Sequence, residues 1–460
     1  MNMKKVIACV CAFLMLLTMV GCGQSSAASS MAASQGAESS ESSGNSEGNN
    51  GEVIHLTMWG GVPLEAGFDK VCENFNEEFK DKGIEISYER YVNDDQGNMK
   101  LETNLLAGSD IDIYITHGFS RLQKRAGGMA LELNALCNRD GFDMEAEFGD
   151  IYKSSLINDK LYSIPTVNSL YGIVINKDMF DAAGIAVPTQ WTIDEFREVA
   201  KQLTHGEGND KVYGMFFNTQ QDMTYPFQFF SSQTLGSNYY YADDLQSVTF
   251  SADDNVKAVQ TVAEMMLVDG SAPTHADSVT QKLSQEDMFL GGKAAMTIGP
   301  WMVRNIKDLQ NYPHDFVTAF APYPVVSEQE EYFAQGGIGD FLCINPKSEN
   351  IDAAWEFVKW YSQGGMMPLV GGGRVPLNVN IDSDEVLAAY ISGYESLFDA
   401  ESTRDVLIAP RTNYAVETVS DKHPEILKIL NQHLESIYLG KETAVDGLAQ
   451  AQKAADDLLK

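Results

Sequence analysis

Residues Val53–Trp59 read VIHLTMW and run into Gly60-Gly61; Ile84–Tyr88 read IEISY, and Asp110–Thr116 read DIDIYIT. The alternation of apolar and polar side chains, bounded by glycine, is that of strands ending in loops. Between the first two strands, Phe68, Val71, Cys72, Phe75 and Phe79 fall at helical spacing and form one apolar stripe. Between the second and third, NMKLETNLLAG predicts another helix, closed by Gly108. Strands alternating with helices imply parallel crossover units, hence an α/β sheet covered on both faces. Ligands of such open sheets sit beyond the C-terminal ends of the strands. That rule places Trp59 and Thr116-His117 at a binding edge.

The same grammar continues. SLYGIVINK (169–177) reads as one strand. TQWTIDEFREVAKQL then opens a helix with Thr192 as N-cap and Glu195 as its capping-box partner. Trp191 and Phe196 are placed for a hydrophobic staple, which accounts for Trp191 without a ligand. Val256, Val259, Val262, Ala263 and Met266 form a further helical stripe, as do Ala354, Phe357, Val358 and Tyr361. Pro424 starts a helix whose buried face is Ile426, Ile429, Leu430, Leu434 and Ile437, and AVDGLAQAQKAADDLLK closes the chain as another helix.

A chain of 460 residues is too long for one ordinary core, which argues for at least two domains. A formal net charge of −33 repels nucleic-acid phosphates, so nucleic acid is excluded as a partner. Lys4 and Lys5 precede the apolar run Val6–Val20, which is too short to span a bilayer comfortably and is flanked like a secretion signal. The run ends in Gly21-Cys22, similar to a bacterial lipoprotein cleavage box, although Met19 stands where Leu is commonest. Residues 1–21 are therefore expected to be a signal peptide. Cys22 is the expected lipidation site, carrying diacylglycerol and palmitate, and an uncleaved anchor is the alternative. Residues 22–52, rich in Ser, Ala, Gly, Asn and Glu, cannot bury enough apolar surface to order themselves and are expected to be a flexible tether. Beyond them Cys72, Cys137 and Cys343 are neither a zinc set nor a complete disulfide framework, and a buried free thiol is expected at Cys72.

In their order, the motifs resemble the bacterial extracellular solute-binding proteins that include maltose-binding protein. IHLTMWGG, AGSDIDIYI, KLYSIPTVNSLYGIVINKDMFDAAGIAVPTQWTIDEF, FLGGKAAMTIGPWMVRNI, INPKSENIDAAWEFVKW and GGGRVPLN carry the resemblance, which covers Val53 to Lys460. Ile111 departs from the family's usual Pro. The resemblance implies two discontinuous α/β lobes of the type II periplasmic-binding-protein kind, joined by three hinge crossings with a ligand cleft between them. The crossings are expected near Pro165–Tyr171, at Gly336-Gly337, and near Pro368–Pro376. The N-terminal lobe is then 53–166 and 337–367, and the C-terminal lobe 167–336 and 368–460.

A sugar offers hydroxyls at its edge and C–H groups on its face, and is held by aromatic rings and planar polar side chains. Trp355 and Trp360 lie on a helix with core neighbours. That leaves Trp59 and Trp301 as stacking candidates, and Trp301 also resembles a sugar-stacking Trp of the maltose-binding group. The polar candidates are Glu65, His117, Asn168, Asp222, Asp340 and Arg374, with Tyr171 and Gly337 at the hinges. Each has a structural alternative: a helix-start charge for Glu65, a satisfied half-buried ring for His117, a turn cap for Asp340, an ion pair across the hinge for Arg374. No HExxH, GxSxG, phosphate loop or metal-spaced Cys/His set is present, so neither catalysis nor a cofactor is expected. The reading is a monomeric, lipid-anchored receptor on the outer face of the cell membrane. It would deliver a small ligand, a sugar or oligosaccharide, to the membrane subunits of an ABC permease. A sensory ligand-presenting module and a surface glycosidase are the competing functions.

Overall fold

The structure, a computed structural model, describes residues 53–460 apart from 170, 300, 301, 335, 412 and 416–419. The expected signal peptide (1–21), Cys22 and the tether (22–52) lie outside the described residues.

Nine strands are found among the described residues: β1 (Ile54–Gly60), β2 (Ile84–Arg90), β3 (Ile113–His117), β4 (Ile164–Ser169), β5 (Ile173–Asn176), β6 (Met296–Ile298), β7 (Thr318–Ala321), β8 (Gly337–Ile344) and β9 (Val375–Pro376). They form a six-stranded sheet in the order β2-β1-β3-β8-β4-β9 and a three-stranded sheet in the order β6-β5-β7. β1 pairs in parallel with both β2 and β3, as the alternation of strands and helices implies. β8 runs antiparallel to β3 and β4, so the larger sheet is mixed.

Each sheet supports its own core. The helix Phe68–Glu78 buries Phe68, Val71 and Phe75 against the larger sheet, and Phe75 stacks on Phe79 with ring centroids 4.2 Å apart. Phe357 and Val358 join the same core from the helix Ile351–Trp360. Burying one such side chain contributes roughly 2–3 kcal/mol, which is why the helical stripes fix these faces. The smaller sheet is packed by the helices Ile193–Leu203, Asp253–Leu267, His423–Tyr438 and Ala444–Leu459. At the first of these Thr192 and Glu195 form the capping box, and the rings of Trp191 and Phe196 meet edge-on at 5.3 Å.

One expectation needs correcting. SLYGIVINK is not one strand: Ser169 ends β4 in the larger sheet and Ile173 begins β5 in the smaller one, so the chain changes lobes between them. An unbroken run of strand-forming residues hides such a switch. Along the Gly- and Pro-rich stretch the chain serves both sheets: Val370 and Val375 are buried with Val174 and Phe320 of the smaller one. Val375-Pro376 pair with β4, Leu377 N–H donates to the Thr166 carbonyl, and Val379 N–H donates to that of Glu147. Backbone bonds to the larger sheet's half therefore continue to residue 379 while the side chains of Val370 and Val375 already join the other core. The helix Ser383–Ile391 then packs with Val174 and Phe320 of the smaller sheet.

Cys72 is half-buried, Cys137 and Cys343 are buried, and all three are free thiols.

Candidate functional site

The larger sheet gathers polar side chains where its strands end toward the smaller one. Asp340 on β8 sits directly across from His117, the last residue of β3. His117 Nδ1 and Asp340 Oδ1 are 2.5 Å apart, and Arg374 Nε donates to the other carboxylate oxygen at 3.2 Å. Burial alone would raise the Asp340 carboxyl; the charge and hydrogen bonds of His117, then of Arg374, outweigh it and hold the group below the usual carboxylate range. His117 Nε2 is buried and has no partner among the described residues. A Cβ on Gly61 would lie only 2.7 Å from it, so the loop after β1 closes over this ring.

Asn168 lies on β4 between Ile338 of β8 and Val375 of β9. Its Oδ1 accepts from the Tyr414 hydroxyl at 3.2 Å, and its amide nitrogen has no partner among the described residues. Gly337 begins β8 opposite Ser169. The three crossings thus adjoin on neighbouring strands: Asp340 from the second holds Arg374 from the third, and Asn168 from the first lies on β4 between β8 and β9. Tyr171 stands just beyond the first crossing, its ring edge-on to Phe229 at 5.8 Å. Burial pushes its hydroxyl up. Tyr171 also opens onto a groove of about 840 Å³ beside β7, which Tyr323, Tyr332, Phe333 and Arg411 help to line.

The remaining candidates do not join this group. Trp59 is 9% exposed and packs with Tyr91, Leu101, Tyr114 and Leu122, with the Lys100 ammonium 5.2 Å over its ring. Packing accounts for it. Asp222 accepts from Thr224 N–H, Thr224 Oγ1–H and Gln228 Nε2–H, so its carboxylate fixes its own loop. Glu65 lies on the short turn Leu64–Ala66, and its side chain is outside the description. Trp301 lies outside the described residues; β6 and the helix Met302–Lys307 flank it. Sequence reasoning missed Tyr414 and Arg304. Arg304 stands three residues after the Gly-Pro-Trp motif, which was a usable signal, whereas Tyr414 sits in a stretch without periodicity.

Among the described residues no group of His, Cys, Asp and Glu could hold a metal ion, and no helix is long and apolar enough to cross a membrane.

The comparisons agree with this architecture. Residues 62–363 match the family model "Bacterial extracellular solute-binding protein". The arabinooligosaccharide-binding protein of Bacillus subtilis is 24% identical over 364 residues, covering 77% of this chain and 76% of that one. The maltotriose-binding protein of Pyrococcus abyssi is 27% identical over 206 residues, 44% of this chain and 40% of its own length. Among solved structures, a sugar transporter from Rhizobium etli in an open conformation superposes with a TM-score of 0.70 at 21% identity, covering 88% of this chain and 99% of that one. The cyclic alpha-maltosyl-1,6-maltose binding protein of Arthrobacter globiformis superposes with a TM-score of 0.65 at 20% identity, covering 89% and 99%. The fold is therefore the two-lobed, three-crossing type, and the chain belongs to the bacterial extracellular solute-binding proteins.

Proposed function

We propose that the protein captures a sugar or oligosaccharide between its two lobes and hands it to the membrane subunits of an ABC importer, without chemistry of its own. The observation that carries this reading is the adjacency of the three crossings: β4, β8 and β9 lie side by side, Asp340 bonds Arg374, and Asn168 stands on the strand between. A ligand touching them bears on every hinge at once, and so favours one arrangement of the lobes over another; only such differential contact shifts a conformational equilibrium. Relatives named for arabinooligosaccharide and maltotriose binding support the carbohydrate class. Asn168 and Arg374 supply planar polar groups for hydroxyls, Tyr171 and Trp301 the rings, and Gly337 the compact hinge beside them. His117 and Asp340 orient Arg374, and Glu65 completes the rim.

Export and anchoring are part of the same proposal. Cys22, lipidated after removal of residues 1–21, tethers a monomeric receptor to the outer face of the membrane through residues 22–52. A Cys22→Ser variant should lose palmitate labelling and appear in the medium.

The binding reading is tested by thermal shift against mono- and oligosaccharides. Ligand at 100 times Kd stabilises by about 2.7 kcal/mol, a shift of several degrees. Trp301→Ala should abolish that shift while leaving the melting of the empty protein nearly in place. Failure of every sugar, or undiminished affinity in the variant, counts against the reading or against Trp301 respectively.

A further inference from the structure

Arg304 lies on the helix Met302–Lys307, immediately beyond the end of β6, and is exposed. Its neighbour Val303 packs against the third crossing: a Cβ on Gly373 would lie 2.7 Å from Val303 Cγ1. The next residue of each segment is an arginine, so Arg304 from the smaller-sheet lobe and Arg374 from the crossing lie within electrostatic reach of each other. Partial burial and, after it, the charge of Arg374 both pull Arg304 below the ordinary guanidinium value. The carboxylate that holds Arg374 is already spent. Asp340 holds Arg374 by Nε alone and gives its other oxygen to His117. Arg304 and the terminal nitrogens of Arg374 have no partner among the described residues. Two guanidiniums beside one carboxylate leave an excess of positive charge, in a chain whose net charge is −33.

Like charges held close raise the free energy of the empty site, and an anion between them removes that cost. Guanidinium is planar and binds carboxylate through paired parallel hydrogen bonds. We propose that the ligand carries a carboxylate, as a uronic-acid oligosaccharide does, and that Arg304 and Arg374 grip it from the two sides of the third crossing. This rests on the sugar-binding reading and narrows it. Asn168 and Tyr171 remain for the hydroxyls and the ring face. An arginine supplied from each side makes the anion a clasp: the carboxylate gains its second guanidinium only when the lobes bring Arg304 and Arg374 to the same distance.

The experiment is calorimetric titration of the protein with uronic-acid trisaccharides, the methyl esters of the same trisaccharides, and neutral malto- and arabino-oligosaccharides. The ester keeps the sugar's shape and removes the charge. The acid should bind at least about tenfold more tightly than its ester, since charge-assisted hydrogen bonds are about twice as strong as neutral ones. Its affinity should fall as salt is raised, and Arg304→Gln should remove the preference for acid over ester. Arg304→Lys, which keeps the charge but not the fork, should recover only part of it. Equal or tighter binding of the ester, or binding of neutral sugars alone, overturns the carboxylate and leaves the sugar receptor standing. Failure of every sugar in the panel overturns both.

Discussion

Arg374 Nε donates to Asp340 Oδ2 across 3.2 Å, and this one bond ties the segment entering β9 to the middle of β8. Asp340 is 4% exposed, and the side chains of Arg374 and His117 are 14% and 13% exposed. Removing one member of a buried charged set leaves the others desolvated without compensation. Asp340→Ala should therefore destabilise the protein by on the order of 3 kcal/mol, read as a lower urea midpoint. Asp340→Asn, which can still accept from Arg374, should lose less. A double variant that also removes Arg374 should recover part of the loss, because no guanidinium is then left unpaired.

The same group sets a pH dependence. His117 and Arg374 hold the Asp340 carboxyl below its unfolded value despite its burial. A carboxyl depressed in the folded state stabilises the fold above its unfolded pKa, about 3.9, and loses that contribution as pH falls through the folded value. The stability gap between the native protein and Asp340→Asn should be full at pH 7 and should shrink below about pH 4. Urea midpoints of both proteins at pH 7 and pH 3 measure it. A gap that widened on acidification would reverse the assignment of which partner stabilises which.

Much of this arrangement was legible in the sequence, and the rest was hidden for identifiable reasons. Period-two alternation placed β1, β2 and β3, and the stripe from Phe68 to Phe79 placed the helix that covers them, because burial enforces both patterns. The Thr192–Glu195 box and the Trp191–Phe196 contact are local and needed no tertiary knowledge. Ser169–Asn176 looked continuous because residues suited to one sheet suit the next equally well. Trp59 was placed at the binding edge by its position at a strand end, but its side chain turns to the face under Lys100, and a strand's end does not say which face a residue takes. Tyr414 reaches Asn168 over 246 positions of sequence, and Asp340 reaches His117 over 223. No local pattern encodes contacts of that range.

Gly373 makes a sharper test of the third crossing. Its φ is +91°, a region that side-chain-bearing residues rarely adopt, and an added Cβ would strike Val303 Cγ1. Gly373→Ala should cost about 1–2 kcal/mol from backbone strain alone, with a further loss from the collision. Val303→Ala in the same chain should relieve the collision but not the strain. The double variant is then expected between Gly373→Ala and the native protein in thermal melts. No rescue would place the whole cost in the backbone.

The cap at Thr192 separates folding from binding. Its hydroxyl accepts from the Glu195 N–H while the Glu195 carboxylate accepts from the Thr192 N–H. Thr192→Ala should lower stability by about 1 kcal/mol, and sugar affinity measured well below the melting point should not change. The helix it opens packs in the smaller sheet's core and supplies none of the candidate ligand residues, so any loss of affinity would mean the lobe tolerates less local fraying than its core suggests.

Asn168 and Tyr414 together test where the ligand sits. Asn168 is 6% exposed and accepts from the Tyr414 hydroxyl at 3.2 Å, while its amide N–H groups remain free among the described residues. Donors without a protein partner at a strand edge are placed to give hydrogen bonds to a ligand hydroxyl. Tyr414→Phe removes only the bond inside the empty protein, and should cost about 1 kcal/mol of stability with a small effect on affinity. Asn168→Ala removes the same bond and the free donors as well. It should show a similar loss of stability but weaken sugar binding by tenfold or more, since about 1.4 kcal/mol corresponds to each factor of ten. Calorimetric titration beside thermal melts of both variants separates the two effects. Equal affinities in the two variants would mean that the amide of Asn168 faces no ligand, and the site would have to move from the crossings toward the groove beside Tyr171.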